Sequence, residues 1–283
     1  MSEEILLQHL DEGVLTLTLN RPDRLNALNP ALMRALFDAL TEAAEDARVG
    51  CVLLRGNGRA FCAGGDIAAA RDANDAAERT PDQVVADELR KAKRGPNTPE
   101  VMQAWLRRSA DSVRLLHEMH KPTVAALHGA VVGAGLGLAT ACDFRVAANT
   151  LSMSTGFRKV GYSGDFGGSY FLTQLLGTAK TRELYLLDAK LNAEQADRLG
   201  LLTRLVEPEA LDAEARSLAV QLAAGPRIAQ RYIKQNLNLA QVGTLNDVLD
   251  AEVRHQNRCS GTEDHKEAVK ALFEKRTPHF RGI

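Results

Sequence analysis

Apolar and polar positions alternate near the start of the chain and then change to a helical period. The run Gly-Val-Leu-Thr-Leu-Thr-Leu-Asn at 13–20 predicts one strand of a hairpin within residues 5–20. Asn29-Pro30 then opens a predicted amphipathic helix that runs to about Arg48. Short apolar runs predict buried strands at 51–55, 123–127 and 143–147. Strands interrupted by helices predict an α/β or strongly mixed fold.

The remaining segments are mostly helical in pattern. Residues 68–120 are polar and rich in Ala, but their apolar positions predict two or three helices with an irregular joint near Gly95-Pro96. A helix is predicted from Thr173, a helix N-cap at Asn192, and a brief strand at 202–206. Residues 208–275 read as a helical module. We therefore predict two parts, a core over 1–207 and a helical part over 208–283.

Composition narrows the classes of function. The chain has 283 residues, a net charge of −1 and 5% aromatic residues, which argues against a nucleic-acid-binding protein. No apolar run reaches the ~20 residues of a membrane span. The first residues do not resemble a secretory signal, so a cytoplasmic location is expected. The four cysteines are scattered, which predicts free thiols and no metal site.

Two glycine-bearing segments carry the strongest functional signal. They are Phe61–Ile67 (Phe-Cys-Ala-Gly-Gly-Asp-Ile) and His128–Gly137 (His-Gly-Ala-Val-Val-Gly-Ala-Gly-Leu-Gly). Each follows a predicted strand and leads into a predicted helix, where backbone N–H groups have no partner within the helix. Two such groups brought together stabilise an oxygen that becomes negative during a reaction. The candidate donors are the amides of Gly65 and Ala134.

Two nucleotide-binding motifs do not fit these glycines. Gly133-Ala-Gly135-Leu-Gly137 lacks the spacing and the later acidic residue of a dinucleotide-binding loop, and no Gly-Lys-Ser/Thr follows as in a P-loop. Close packing of helix on strand is the alternative that stays open for either segment alone.

Several motifs in one order resemble the crotonase superfamily, also called the enoyl-CoA hydratase/isomerase family. They lie at 20–28, 60–67, 121–143, 161–168 and 274–280. The resemblance implies a spiral of ββα units with a C-terminal helical trimerisation module. It also implies homo-oligomers (trimers or hexamers) and a coenzyme A thioester substrate whose carbonyl lies between the amides of Gly65 and Ala134.

The same resemblance implies positions for the substrate. Arg24 and Leu25 match the loop along coenzyme A, and the segment near the adenine matches Ala63, Asp66 and Ile67. Tail positions that reach a nucleotide, from the same or another subunit, match Leu272 and Lys275. The 68–120 insertion, with Trp105, would roof an acyl pocket to which Phe157 and Tyr162 also contribute.

The chain departs from the family's hydratases at both catalytic glutamates. Gly137 and Phe157 stand at the matching positions, so water addition by two carboxylates is not supported. The acid that is present is Asp165, where some isomerases of the family place a single carboxylate. One carboxylate suffices to take a proton from one carbon and return it to another. A helix N-cap is the structural alternative for Asp165.

The sequence thus predicts an acyl-CoA isomerase that shifts a double bond or rearranges a ring epoxide and needs no metal or redox cofactor. A hydratase is the first alternative. A thioester or C–C hydrolase and a non-catalytic coenzyme A-binding protein are further ones.

Overall fold

The computed structural model of the protein describes residues 4–66 and 98–283. Ile67 and the first part of the predicted 68–120 insertion lie outside the described residues. The described end of that insertion is one helix, α2 (Pro99–Glu118), which begins at a Thr98 N-cap that accepts the Val101 N–H.

The main sheet has six strands in the order β1-β2-β3-β4-β6-β9. Their bounds are β1 Leu6–Asp11, β2 Val14–Leu19, β3 Cys51–Gly56, β4 Thr123–Leu127, β6 Phe144–Ala148 and β9 Arg204–Val206. The β1–β2 pair is an antiparallel hairpin, and every other pairing in this sheet is parallel. Parallel strands covered on both faces read as continuous apolar runs, which is why the sequence showed β3 and β4 clearly.

A second, three-stranded sheet lies beside the first. It consists of β5 (Ala130–Val132), β7 (Ser152–Ser154) and β8 (Leu191–Asn192) in the order β5-β7-β8. Strand β5 follows β4 after two residues and pairs with β7 in parallel. The second glycine segment, 128–137, contains β5, so this small sheet positions that segment.

The two faces of the main sheet pack against different helices. One face, with Leu17, Val52, Leu54 and Leu127, forms the larger core with α1 (Pro30–Glu45), α2, α3 (Ala134–Ala141) and α4 (Gly168–Leu186). The other face alternates with it and packs against α6 (Leu211–Ala223). Asn29 caps α1 through a hydrogen bond from the Leu32 N–H, as its sequence pattern predicted.

The last helices extend from this body. After α5 (Ala193–Arg198) and α6, they are α7 (Arg227–Ala240), α8 (Leu245–Ser260) and α9 (Glu263–Glu274). Lys234 of α7 is buried and donates to the Asp143 carboxylate at 2.7 Å, to the Leu116 carbonyl and to the Lys121 carbonyl. The predicted division between residues 207 and 208 falls before α6. That helix packs against the main sheet, although the division assigns it to the helical C-terminal part. No described helix is long and apolar enough to cross a membrane.

Several predicted element bounds differ from the structure. The first helix ends at Glu45 instead of Arg48, because Asp46 adopts an extended conformation. Helix α4 starts at Gly168, five residues before the predicted Thr173, and the strand predicted at 202–206 covers only Arg204–Val206. The overall α/β architecture with a helical C-terminal part is confirmed.

Candidate active site

The two glycine segments lie side by side. Cys62 and Val131 form a parallel β-bridge, in which the Cys62 N–H donates to the Ala130 carbonyl at 3.0 Å and the Val132 N–H to the Cys62 carbonyl at 3.0 Å. A β-carbon on Gly135 would stand 2.5 Å from the Cys62 carbonyl oxygen, so this glycine is required by the close approach. The bridge brings the residues after Cys62 next to the start of α3.

Gly65 presents an unpaired amide at this junction. Its neighbours are fixed by Leu28, which donates to the Gly64 carbonyl at 2.7 Å and accepts from the Asp66 N–H at 3.1 Å. The Gly65 N–H itself has no hydrogen-bond partner among the described residues. A β-carbon at Gly65 would meet no described atom within 4 Å. Among the described residues, the Gly65 amide is therefore left without a hydrogen-bond partner.

Ala134 is the first residue of α3, and its amide is also unpaired within the described chain. Gly133 turns the strand into the helix with φ 55° and ψ −121°, a conformation that favours glycine, and its own N–H donates to the Ser154 carbonyl at 3.2 Å. A β-carbon on Gly64 would lie 3.7 Å from the Ala134 nitrogen. Two free amides of adjacent segments thus stand at the positive end of one helix.

Asp165 lies in a turn of unusual backbone conformation. Gly164, Phe166 and Gly167 have φ values of 119°, 48° and 68°. The Asp165 Oδ1 atom is buried and accepts no hydrogen bond from the described residues. Burial raises the pKa of this carboxyl to about 6. The N-cap of α4 is Gly167, with no side-chain cap, so the structural alternative for Asp165 as a helix cap is wrong.

Tyr185 and Phe157 form the wall beside Asp165. Their rings are stacked with centroids 6.2 Å apart. A β-carbon at Gly168 would lie 2.7 Å from the Tyr185 hydroxyl oxygen, and one at Gly164 would lie 3.2 Å from the same ring. Burial and the Asp165 charge together raise the pKa of Tyr185 to about 12. The sequence analysis missed Tyr185; the glycines at 164 and 168 were its only signal.

The Asp165 turn also packs on the first turns of α3. Gly137 lies so close to the Phe166 carbonyl that no real β-carbon could occupy the space. Phe157 contacts both the Asp165 turn and the start of α3. Its ring would lie 3.8 Å from a β-carbon at Gly164 and 3.5 Å from one at Gly133. The structure therefore brings Asp165 and Phe157 together with the Ala134 end of α3.

The other predicted pocket residues are more scattered. Tyr162 is 66% exposed. Trp105 lies in a cleft between α1 and α2 that it shares with Phe37 and Arg108, and none of residues 157–168 lines that cleft. A role for Trp105 at the acyl group stays a prediction.

The predicted coenzyme A residues fall into two groups. Leu25, at φ 50°, accepts the Ala63 N–H at 2.9 Å, and the exposed Arg24 precedes it. Asp66 pairs with Arg21 at 2.8 Å. These residues surround the first glycine segment. The second group consists of Leu272, 75% exposed, and Lys275, the left-handed C-cap of α9; that helix packs against α8.

Two histidines, His128 and His117, contact structural neighbours. The His128 ring lies 2.9 Å from the Gly58 carbonyl, and His117 packs edge-on against Phe171. Cys51, Cys62 and Cys142 are buried free thiols, and Cys259 is partly buried. No group of three His, Cys, Asp or Glu suited to a metal ion occurs in the described part of the chain.

Comparisons with known proteins identify the family and support the fold. The sequence profile of a family described as Enoyl-CoA hydratase/isomerase matches residues 14–237. A 1,2-epoxyphenylacetyl-CoA isomerase from Escherichia coli (strain K12) is 36% identical over 99% of both chains. A crotonyl-CoA hydratase from Syntrophomonas wolfei is 29% identical over 99% of both. The crystal structure of a putative enoyl-CoA hydratase from Streptomyces coelicolor A3(2) superposes with a TM-score of 0.85, at 33% identity, covering 100% of this chain and 96% of that one.

Proposed function

Because the chain belongs to the enoyl-CoA hydratase/isomerase family, we propose that it isomerises an acyl-CoA thioester with Asp165 as the proton-transferring group. The amides of Gly65 and Ala134 hold the thioester oxygen. The observation that carries this proposal is the buried, unpartnered Asp165 oxygen beside the helix that offers the Ala134 amide.

The environment of Asp165 suits a base. An exposed Asp, with its low pKa, is a weak base, whereas a carboxylate buried among Phe157, Tyr185 and glycine backbone gains basicity. A pKa of about 6 still leaves most of the group ionised at neutral pH. A structural aspartate would be expected to accept hydrogen bonds at both oxygens, as Asp264 does from the Arg281 and Gly282 amides.

The proposed step balances as a proton shuttle. In the double-bond shift, the Asp165 carboxylate takes a proton from the α-carbon of a 3-enoyl thioester. The electron pair of that C–H bond forms a double bond to the carbonyl carbon, and the carbonyl π pair moves to the oxygen. The two amides stabilise the resulting enolate. The same proton returns to another carbon, the oxygen gives back its electron pair, and the double bond moves. No metal or redox group takes part in this proposal.

The architecture favours isomerisation over hydration by two carboxylates. A side chain at Gly137 would collide with Phe166, and the second family position holds Phe157. The 36% identical relative named as an isomerase supports the same direction. Hydration is the second candidate, because a relative of similar coverage is named a hydratase and Asp165 can also activate water.

Substrate binding and assembly complete the proposal. Arg24, Leu25, Ala63 and Asp66 border the first glycine segment and are proposed to bind coenzyme A, with Leu272 and Lys275 approaching from the same or a second subunit. Exposed apolar side chains on α7 and α8 support a homo-oligomer, either a trimer or a hexamer; they are Ile233, Leu237, Leu249 and Val253. The buried free thiols support a reducing, cytoplasmic location.

The test compares two substrates by ultraviolet absorbance. With 3-hexenoyl-CoA, isomerisation creates a conjugated thioester and absorbance rises; with crotonyl-CoA, hydration removes conjugation and absorbance falls. A mass-spectrometric assay of 1,2-epoxyphenylacetyl-CoA tests ring rearrangement. We expect isomerisation in the first or third assay and its loss by at least a hundredfold in Asp165→Asn. Activity on crotonyl-CoA alone, or full activity of Asp165→Asn, would contradict the proposal.

A further inference from the structure

Asp188, just beyond α4, is a buried carboxylate that the proposed chemistry does not use. Its side chain is 1% exposed and its backbone is left-handed, with φ 52°. A non-glycine residue is uncommon in that conformation, and a buried charge is costly unless it is paired. The contacts of the carboxylate show what offsets these costs.

All of these contacts go to one short segment, residues 154–159. The Asp188 Oδ1 atom accepts from the Gly156 N–H at 2.9 Å and from the Ser154 hydroxyl at 3.3 Å. The Thr155 hydroxyl also lies 3.2 Å away, but it shares its one proton with the Leu184 carbonyl at 3.1 Å. Its Oδ2 atom pairs with Lys159 at 3.1 Å. Since Lys159 is 61% exposed, that ion pair adds little, and the bonds to Oδ1 fix the segment.

The fixed segment supports the loop that carries the Ala134 amide. The Ser154 carbonyl accepts the Gly133 N–H at 3.2 Å, immediately before Ala134. A β-carbon at Gly156 would lie 2.6 Å from the Val132 side chain, and the Phe157 ring lies against Gly133. Residues 154–157 therefore contact both Val132 and Gly133, whose backbone sets the direction of the next N–H group.

We propose that Asp188 is a positioning residue that acts through Ser154, Gly156 and Gly133 to orient the Ala134 amide toward the thioester oxygen. This inference rests on the proposed function, because it assigns Asp188 to one half of the proposed oxyanion site. It does not involve Asp165 or the coenzyme-binding residues. Its effect belongs to polarisation of the carbonyl, not to binding of the substrate.

The experiment measures that polarisation directly. Hexanoyl-CoA with ¹³C in its thioester carbonyl is bound to the wild-type protein and to Asp188→Asn, and the carbonyl infrared band and Kd are recorded. In the wild type the band moves to lower wavenumber on binding, because two amides draw electron density to the oxygen. In Asp188→Asn we expect at least half of that shift to be lost with less than a threefold change in Kd. On the active substrate, kcat falls about tenfold, since complete loss of one donor costs about 10²–10³-fold.

Two further variants keep the test decisive. Ser154→Ala removes one donor to Asp188 without touching the buried charge, and it answers the question if Asp188→Asn does not fold. We expect a smaller loss of shift in the same direction. Asp264→Asn is the matched control, because Asp264 is equally buried but accepts backbone N–H groups in the C-terminal tail. It should leave the band unchanged.

The outcomes separate the two proposals. A wild-type shift that persists in full in folded Asp188→Asn and Ser154→Ala overturns the role of Asp188 alone. A wild-type protein that binds the probe without any band shift contradicts the proposed oxyanion site, and with it this inference. A loss of shift in the Asp264→Asn control as well would show a general loosening of the fold and would also overturn the specific role.

Discussion

The backbone carbonyl of Phe166 lies against the α-carbon of Gly137. This single contact joins the turn that carries Asp165 to the helix that begins with Ala134. It also occupies the space that a side chain at 137 would need. The position of Asp165 and the absence of a carboxylate at 137 are therefore two results of one packing arrangement.

Gly137→Ala tests this contact. The added methyl group must push the Phe166 carbonyl away, so we expect a loss of about 1–3 kcal/mol in the free energy of unfolding. Asp165 moves with Phe166, and kcat should fall at least tenfold. Urea unfolding and steady-state kinetics measure the two effects. Gly261→Ala is the control, because a β-carbon there meets its nearest atom at an ordinary 3.8 Å. Unchanged stability in Gly137→Ala would contradict the observed packing.

Gly65→Ala separates folding from function. No described atom lies within 4 Å of the added methyl group, so the melting temperature should stay within about 2 °C of the wild-type value. If a thioester oxygen approaches the Gly65 amide, the methyl group hinders that approach, and kcat/KM should fall at least tenfold. Scanning calorimetry and kinetics provide the comparison. Normal activity of Gly65→Ala would contradict the proposed contact between the Gly65 amide and the thioester oxygen.

The pH dependence of activity follows from the ionisation of Asp165. Its pKa is raised to about 6, and the base must be ionised, so kcat/KM should rise through pH 6 and level off above it. Burial lowers the pKa of His117 below its usual value, and its ring packs against Phe171. The acidic limb should persist in His117→Asn and vanish from any residual activity of Asp165→Asn. A limb that disappears with His117 instead would assign the base elsewhere.

Asp165 should also destabilise the fold at neutral pH. Because its folded pKa lies above the unfolded value of 3.8, the carboxyl favours folding below pH 3.8, and this contribution is lost as the pH rises through 6. Relative to the wild type, Asp165→Asn should gain about 1–2 kcal/mol between pH 4 and pH 8, after allowance for partial solvent contact. Urea unfolding at several pH values measures the gain.

Asp247 offers a control of opposite sign. Hydrogen bonds from Thr244 lower the pKa of Asp247, so it stabilises the fold above its unfolded pKa, and that contribution is lost as the pH falls through the folded pKa. Asp247→Asn should therefore be less stable than the wild type at both pH 8 and pH 4, and this deficit should shrink only below the unfolded pKa of 3.8. If both variants responded to pH in the same direction, the interpretation of Asp165 would be wrong.

Lys234 should be among the most sensitive positions for stability. Lys234→Met leaves the Asp143 carboxylate and two carbonyls without their cation, and we expect a loss of about 3–5 kcal/mol in urea unfolding. The double variant with Asp143→Asn should recover part of the loss. Lys266→Met breaks only an exposed pair with Glu263 and should cost less than about 0.5 kcal/mol. Equal effects of the two lysine variants would contradict the structural role of Lys234.

The sequence predicted secondary structure well where the signal is local to one segment of the chain. Strands β3 and β4 and the Asn29 cap were predicted because continuous apolar runs and N-cap residues are local signals. The second glycine segment also predicted its own position between strand β4 and helix α3, whereas the residues that follow the first segment lie outside the described part of the chain. Their adjacency, however, depends on the bridge of Cys62 with Val131, which only the assembled sheet creates.

Contacts between distant segments could not be predicted. Nothing local to Phe166 indicates that it must adopt a left-handed backbone against Gly137, and nothing at Tyr185 or Asp188 marks a role beside the site. Trp105 shows the reverse case: a large aromatic residue in the insertion suggested an acyl pocket, and its described neighbours belong to α1 and α2.

The ion pair of Lys234 with Asp143 connects helix α7 to the C-terminal end of α3, and the N-terminal end of α3 carries the Ala134 amide. Asp143 lies two residues after the end of α3. This helix has eight residues, is about 12 Å long and begins at Ala134. A helix resists stretching, so a displacement of α7 cannot be absorbed between the ion pair and the amide. A subunit that binds to α7 and displaces it would thus also displace the Ala134 amide at the N-terminal end of α3.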